Sequence, residues 1–219
     1  MSTATGARSG AGELLADRAY VELRDQIVTL VLPPGAPLDE EALGRALKLG
    51  RTPLREAVKR LALENLVAVY PRRGTFVCEI NITDLAHVSD VRVELEGHAA
   101  YRAAERLTAE QREELGALLA EVAEPGTSAP ADLMGLDARI HRFVYRCAGN
   151  PYLRDTLERY LNLSLRIWYL ALGRLPHLFE RVHEHGDLLT AIRDGEADRA
   201  RAIAADHVET FEREIRGVL

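Results

Sequence analysis

Four residues in the C-terminal half of the chain, Asp137, His141, His185 and His207, are of the types that ligate a divalent metal. Asp137 and His141 stand four residues apart, which puts both on one face of a helix. His185 and His207 come from two later helical segments. Three imidazoles and one carboxylate suit zinc, nickel, manganese or iron(II), with coordination positions left for water or ligand oxygens. Taken alone the pattern is common, because an Asp-x-x-x-His pair recurs on many helices and surface histidines outnumber ligands. An open-sided ion of this kind could also activate water for hydrolysis. The nearest acid for such a reaction is Glu184, and on a helix the residue next to His185 points about 100° away from it.

A second group of residues has a different chemistry. Arg51 and Arg55 lie four residues apart on one side of a helix, while Leu54, Ala57, Val58 and Leu61 have the spacing of a buried stripe on the other. A helix with an apolar back and a basic front suits DNA. Its N-terminal end can approach phosphates, and an arginine fork can reach guanine O6 and N7 in the major groove.

The surrounding elements make this pattern a motif. Pro33-Pro34-Gly35-Ala36-Pro37-Leu38 breaks a preceding helix, and Asp39 is placed to N-cap a short helix over about residues 40–47, with Arg45 on it. The turn Lys48-Leu49-Gly50 leads into the basic helix. Leu66–Tyr70 and Thr75–Val77 then read as two strands joined by Pro71-Arg72-Arg73-Gly74. Helix, helix, recognition helix and hairpin describe a winged helix-turn-helix. Arg45, Arg51, Thr52 and Arg55, with Arg72, Arg73 and Gly74 at the wing tip, are the expected DNA contacts.

From Asp84 onward the periodicity is helical throughout, so the fold class is mainly α. Helices are expected near 84–106, 108–123, 131–148, 151–172, 176–194 and 196–217, a bundle of about six. The expected domains are a disordered tail over 1–12, a DNA-binding domain over 13–78, a linker over 79–83 and a helical domain over 84–219.

The segment from Tyr20-Val21-Glu22-Leu23-Arg24 through Leu32-Pro33-Pro34-Gly35, Arg51-Thr52-Pro53-Leu54-Arg55-Glu56-Ala57 and Arg73-Gly74-Thr75-Phe76-Val77 resembles the DNA-binding domain of the GntR family of bacterial transcription regulators. That family usually has Ser or Thr where this chain has Gly50, so one phosphate contact is in question. The remainder carries Val91-Arg92-Val93-Glu94-Leu95-Glu96, Asp137-Ala138-Arg139-Ile140-His141, Gly149-Asn150-Pro151-Tyr152-Leu153, Glu184-His185 and Asp206-His207. It resembles the FCD ligand-binding domain of the FadR-type branch. The resemblance implies that Asp137, His141, His185 and His207 hold a divalent metal that helps bind a small carboxylate effector. Arg92 could clamp that carboxylate bidentately, or pair with Glu96 one helical turn on. Arg166 could line the cavity. Arg139 reads as solvent-facing, and His87, His98, His177 and His183 as surface or helix-terminal. Trp168 and Tyr169 read as core.

Composition agrees with a two-domain regulator. At 219 residues the chain has room for two modest domains, and no run is apolar enough to span a membrane. Two cysteines, Cys78 and Cys147, fall in different domains and point to a reducing compartment, here the bacterial cytoplasm with its nucleoid. The net charge of −6 argues weakly against nucleic acid. Residues 1–78 nevertheless hold 11 basic and 9 acidic residues, against 17 and 25 in residues 79–219. Local charge sets phosphate contacts. A single recognition helix gives little affinity, so a homodimer on a palindromic operator is expected. The rival readings are a metal-dependent hydrolase and a pure metal sensor.

Overall fold

The computed structural model describes residues 4–124, 129–174 and 178–219, with side chains from residue 14 onward except that of residue 179. It divides into two compact units, Met1–Ile80 and Asn81–Leu219.

The first unit begins with helix α1 (Ala4–Val28). The segment 4–12, expected as part of a disordered tail, is therefore helical, whereas residues 1–3 lie outside the described residues. Its sequence contains no proline, and each glycine costs a helix only about 1 kcal/mol, so nothing in it stops α1 from running back. Ala19, Leu23 and Ile27 of α1 are fully buried and pack on α3. Helix α2 (Glu40–Leu47) starts where expected, because the Asp39 carboxylate accepts from the backbone N–H of Glu41 and Ala42 at 2.9 and 3.0 Å. It ends at Lys48, which adopts a left-handed conformation with φ +55°. Helix α3 (Arg51–Leu63) follows from Gly50. Strands β1 (Val67–Tyr70) and β2 (Gly74–Val77) form an antiparallel pair with Val67 opposite Val77 and Tyr70 opposite Gly74. The turn between them requires φ +64° at Arg72 and φ +107° at Gly74. The proline-rich connection also lies along β2, with Leu38 N–H donating to Thr75 O at 2.8 Å and Val77 N–H to Ala36 O at 2.9 Å.

The second unit is all helical among the described residues. It comprises α4 (Thr83–Arg106), α5 (Ala109–Ala123), α6 (Pro130–Cys147) and α7 (Pro151–Ala171). A 3-10 turn at Leu172–Arg174 precedes α8 (Leu178–His183), α9 (His185–Arg193) and α10 (Ala197–Val218). Thr108 and Gln111 cap α5 reciprocally, and Asn150 with Pro151 starts α7. Helices α4 and α10 pack closely at Gly97, where a Cβ would lie 3.2 Å from Arg201 Cγ and 3.3 Å from its carbonyl oxygen.

The helix expected over 176–194 is two helices, and its first residues fall outside the described ones. The break has a local cause. In an unbroken helix the Val182 carbonyl would accept from a backbone N–H four residues on. Here the His185 side chain lies 3.1 Å from it through Nδ1, competing within the ladder.

Candidate functional site

The residues expected to face DNA need little building. On α3, Leu54, Ala57, Val58 and Leu61 are buried, and Arg51, Thr52 and Arg55 are exposed. Arg45 on α2, and Arg72, Arg73 and Gly74 at the hairpin turn, are exposed too. Arg55 Nε donates to Glu40 Oε2 at 3.1 Å, and Arg45 pairs with Glu41 at 3.0 Å. Both are surface ion pairs, worth about 0–1 kcal/mol each, and hold the arginines only loosely.

The metal candidates are the opposite case. Asp137 and His141 occupy the buried stripe of α6, His185 opens α9, and His207 interrupts the Ala200, Ala204, Val208, Phe211, Ile215 stripe of α10. One potential ligand atom from each lies within 4.8 Å of every other, and all four residues are buried. Nε2 of His141 is 3.8 Å from Asp137 Oδ2. Nε2 of His185 and of His207 lie 3.7 and 3.8 Å from Asp137 Oδ1. These separations are too long for hydrogen bonds, and Asp137 Oδ2 and the three Nε2 atoms are buried without a partner. Two ligands each about 2.1 Å from one ion lie at most about 4.2 Å apart, so the 3.7–3.8 Å separations from Asp137 suit a shared cation, and any pair near the 4.8 Å limit would close slightly around it. Burying these groups for no ligand would cost several kcal/mol.

The outer nitrogens of His141 and His185 are occupied, and that of His207 has only a distant carboxylate. His141 Nδ1 lies 2.6 Å from Glu96 Oε2, His185 Nδ1 lies 3.1 Å from Val182 O, and His207 Nδ1 lies 3.9 Å from Glu184 Oε2. Glu96 is paired in turn with Arg92, whose Nε donates to Oε1 at 2.6 Å and whose Nη2 abuts the same oxygen. The Arg92 guanidinium carbon sits 4.9 Å from the centre of the Trp168 ring. Burial would raise the Glu96 carboxyl, but Arg92 and His141 bring it down to about 2. Burial likewise pushes His141 down, and the Glu96 and Asp137 carboxylates outweigh it to leave the ring above its ordinary value. Burial drives His185 well below the ordinary range, the neighbouring His207 and His141 push it the same way, and the backbone hydrogen bond to Val182 offsets them only in part.

Residues 15–77 match the bacterial regulatory proteins of the gntR family, and residues 87–210 match the FCD domain. The chain belongs to the GntR family, with an FCD domain as its C-terminal part. It is 36% identical over 145 residues to an HTH-type transcriptional regulator from the TAR-I ttuE-ttuC' intergenic region of Agrobacterium vitis, covering 64% of this chain and 83% of that one. It is 25% identical over 201 residues to the HTH-type transcriptional repressor RspR of Escherichia coli, covering 91% and 88%. Among solved structures, E. coli McbR/YncC shares the fold at a TM-score of 0.77 and 22% identity, over 93% of this chain and 97% of that one. The family and these relatives are transcription regulators and not enzymes, which removes the hydrolase reading. A GntR helix-turn-helix implies DNA binding, and an FCD domain implies a small-molecule effector and often a metal.

Within this family frame, the residues expected around the effector are only partly where a free clamp would need them. Arg92 is buried and committed on one edge to Glu96, so the alternative reading of a pair one turn apart is the arrangement formed. Its Nη1 retains no hydrogen-bond partner. Arg166 is buried on α7. Arg139 is exposed and pairs with Glu121. His87 and His98 are exposed, His183 is half-buried, and His177 lies outside the described residues. Trp168 is buried, as expected of a core residue, but also floors Arg92. Spacing does not single out Glu96 and Glu184 as partners of the candidate metal ligands. A usable signal existed for Glu96: Leu85, Ser89, Arg92, Glu96 and Ala100 follow the α4 inward period, so an acid there had to be buried.

Proposed function

We propose that this regulator binds a palindromic operator as a homodimer and that a small carboxylate effector, held at a divalent ion in the FCD domain, changes its operator affinity. Arg51 and Arg55 would read bases, with Arg45 and Thr52 on the backbone and Arg72, Arg73 and Gly74 in the wing's groove. Repression in the bacterial cytoplasm is the expected mode, in line with a relative named as a repressor.

The observation that carries this reading is the set of four buried, unpartnered ligand atoms converging inside the domain. Asp137, His141, His185 and His207 would hold zinc, nickel, manganese or iron(II), and the ion would supply a Lewis-acidic anchor for ligand oxygens. The charges favour an anion. A dication and the Arg92 guanidinium outweigh the Asp137 and Glu96 carboxylates by one positive charge. Arg92 Nη1, which has no hydrogen-bond partner, would offer a donor to such an anion, and Arg166, buried on α7, could line the cavity.

The test is operator binding by zinc-loaded and by chelator-treated protein across a panel of small mono- and dicarboxylates. A member that shifts the operator Kd of the zinc-loaded protein only, through a tenfold or larger change, supports the reading. Equal affinity across the panel overturns it. The pairing of Arg92 with Glu96 favours one other reading, in which the metal alone is the effector. In that case zinc shifts operator affinity and no carboxylate adds to it.

A further inference from the structure

We propose that Glu96 is a positioning residue of the metal site: it holds the proton on His141 Nδ1 and so aims the lone pair of Nε2 at the ion. The inference rests on the metal-site reading above and adds to it a residue outside the ligand set. A neutral imidazole carries one N–H, and the nitrogen without it is the one that can ligate. Glu96 Oε2 lies 2.6 Å from His141 Nδ1, and both side chains are at most 4% exposed, so no bulk water competes for that contact. An ionised carboxylate only accepts. The proton therefore sits on Nδ1, and the unpartnered Nε2 faces Asp137.

The carboxylate is itself held at both oxygens. Oε1 takes Arg92 Nε at 2.6 Å, and Oε2 takes His141. The guanidinium is in turn backed by the Trp168 ring. No other ligand is held this firmly. His185 Nδ1 has a neutral backbone carbonyl at 3.1 Å, and His207 Nδ1 has a carboxylate at 3.9 Å whose side chain is 44% exposed. Carboxylates placed behind ligating histidines fix the ring and raise its basicity, and their loss typically costs about 10–100-fold in metal affinity. On this view Arg92 is first the counter-charge that keeps Glu96 ionised and in register.

The experiment uses full-length protein and zinc, with affinity measured by competition against a chromophoric chelator. Glu96→Gln preserves volume, but it replaces one of the two oxygens that face Arg92 and His141 with an NH2 group, which donates and cannot accept. The expected result is a 10–100-fold weaker zinc Kd with an altered cobalt(II) visible spectrum. If Glu96 is merely structural, the variant melts earlier in chelator while its folded fraction binds zinc with unchanged Kd and an unchanged cobalt spectrum, and the proposal is overturned. If native protein binds no zinc, the metal-site reading fails and this one with it, an outcome distinct from equal binding by native and variant. Should the variant not fold, nitrogen-15 NMR of native zinc-loaded protein decides. An exchange-protected Nδ1 proton on His141 is expected, and ligation through Nδ1 instead would refute the role.

Discussion

The core of the DNA-binding unit is built from Leu23, Ile27, Leu54, Leu61 and Leu66, and its buried polar side chains among the described residues are Arg24 and Thr75. The arginines expected to contact DNA stand outside that core. In the helical unit, Arg92, Glu96, Asp137, His141, His185 and His207 occupy the stripes that would otherwise be filled by leucine or alanine. On the proposed reading, one unit separates folding from function, and the other merges them. A surface cation can be removed without opening a cavity or orphaning a partner, whereas a buried ligand cannot. The helical unit should therefore depend on its ligand for stability, and the DNA-binding unit should not.

The strongest way to break this contrast is to titrate zinc and follow amide hydrogen exchange by region. At a thousandfold excess over Kd, binding stabilises the folded state by about 4 kcal/mol. Protection should rise in α6, α9 and α10, and stay unchanged in α1 and α3. Equal slowing in α3 would mean that the two units unfold as one.

Paired substitutions within the DNA-binding unit sharpen the contrast next. Leu61→Ala removes a fully buried side chain at the α1 and α3 contact, and should cost about 2–5 kcal/mol of stability by denaturant unfolding. Arg55→Ala should leave stability within about 0.5 kcal/mol, yet cost about 1–3 kcal/mol in specific operator binding. A stability loss at Arg55 comparable to that at Leu61 would show that its pair with Glu40 matters more than an exposed ion pair should.

Acidity probes the helical unit alone. In the absence of metal the carboxylates hold His141 above its ordinary value, while ligation needs the neutral ring. Metal affinity should therefore climb with pH by roughly tenfold per unit until His141 is neutral, and level off above that. His185, already pushed down by burial, contributes no proton. Calorimetry in buffers of different ionisation enthalpy should find proton release on binding that falls away as His141 becomes neutral. For Glu96 the sign is reversed. Its carboxyl lies at about 2 rather than 4.5, so its stabilising contribution is complete above the ordinary value and is lost as pH falls toward 2.

The same contrast governs what could be read from the residues. The recognition helix, Asp39 cap and hairpin were legible because each is a local pattern: one stripe, one capping side chain, one turn. The candidate ligands Asp137 and His141 were legible as a helical pair. That His185 and His207 join them depends on how α6, α9 and α10 pack, which periodicity does not encode. The break at Glu184 escapes the sequence because its one nearby glycine, Gly186, falls inside α9, where a single glycine does not by itself end a helix, and the competing group is a histidine side chain. Arg92 was ambiguous between effector and Glu96, since a spacing of four permits the pair without requiring it. Only burial of both made the ion pair compelling, because a buried guanidinium without a counter-charge is costly.

The smallest expected effect falls on Gly50, where the resemblance to the GntR family leads one to expect Ser or Thr. Gly50 caps α3 with φ −72° and ψ 168°, and gives no side-chain hydrogen bond. That backbone is extended, so serine can adopt it, and a Cβ there would find its nearest neighbour at 3.9 Å, on Pro53 Cδ. A serine hydroxyl would accept from the orphan N–H groups of the first turn of α3, groups that glycine leaves to water. Gly50→Ser should therefore raise stability by a few tenths of a kcal/mol. If the hydroxyl also meets a phosphate, operator affinity should rise modestly and equally for all sequences, since backbone contacts carry no sequence information. Measuring both separates the two effects: a stability gain with unchanged DNA binding means that the cap serves the helix alone. A loss of stability would mean that the N-terminus of α3 is already satisfied in some other way, and that the surface of this unit is more tightly coupled to its fold than the exposed arginines suggest.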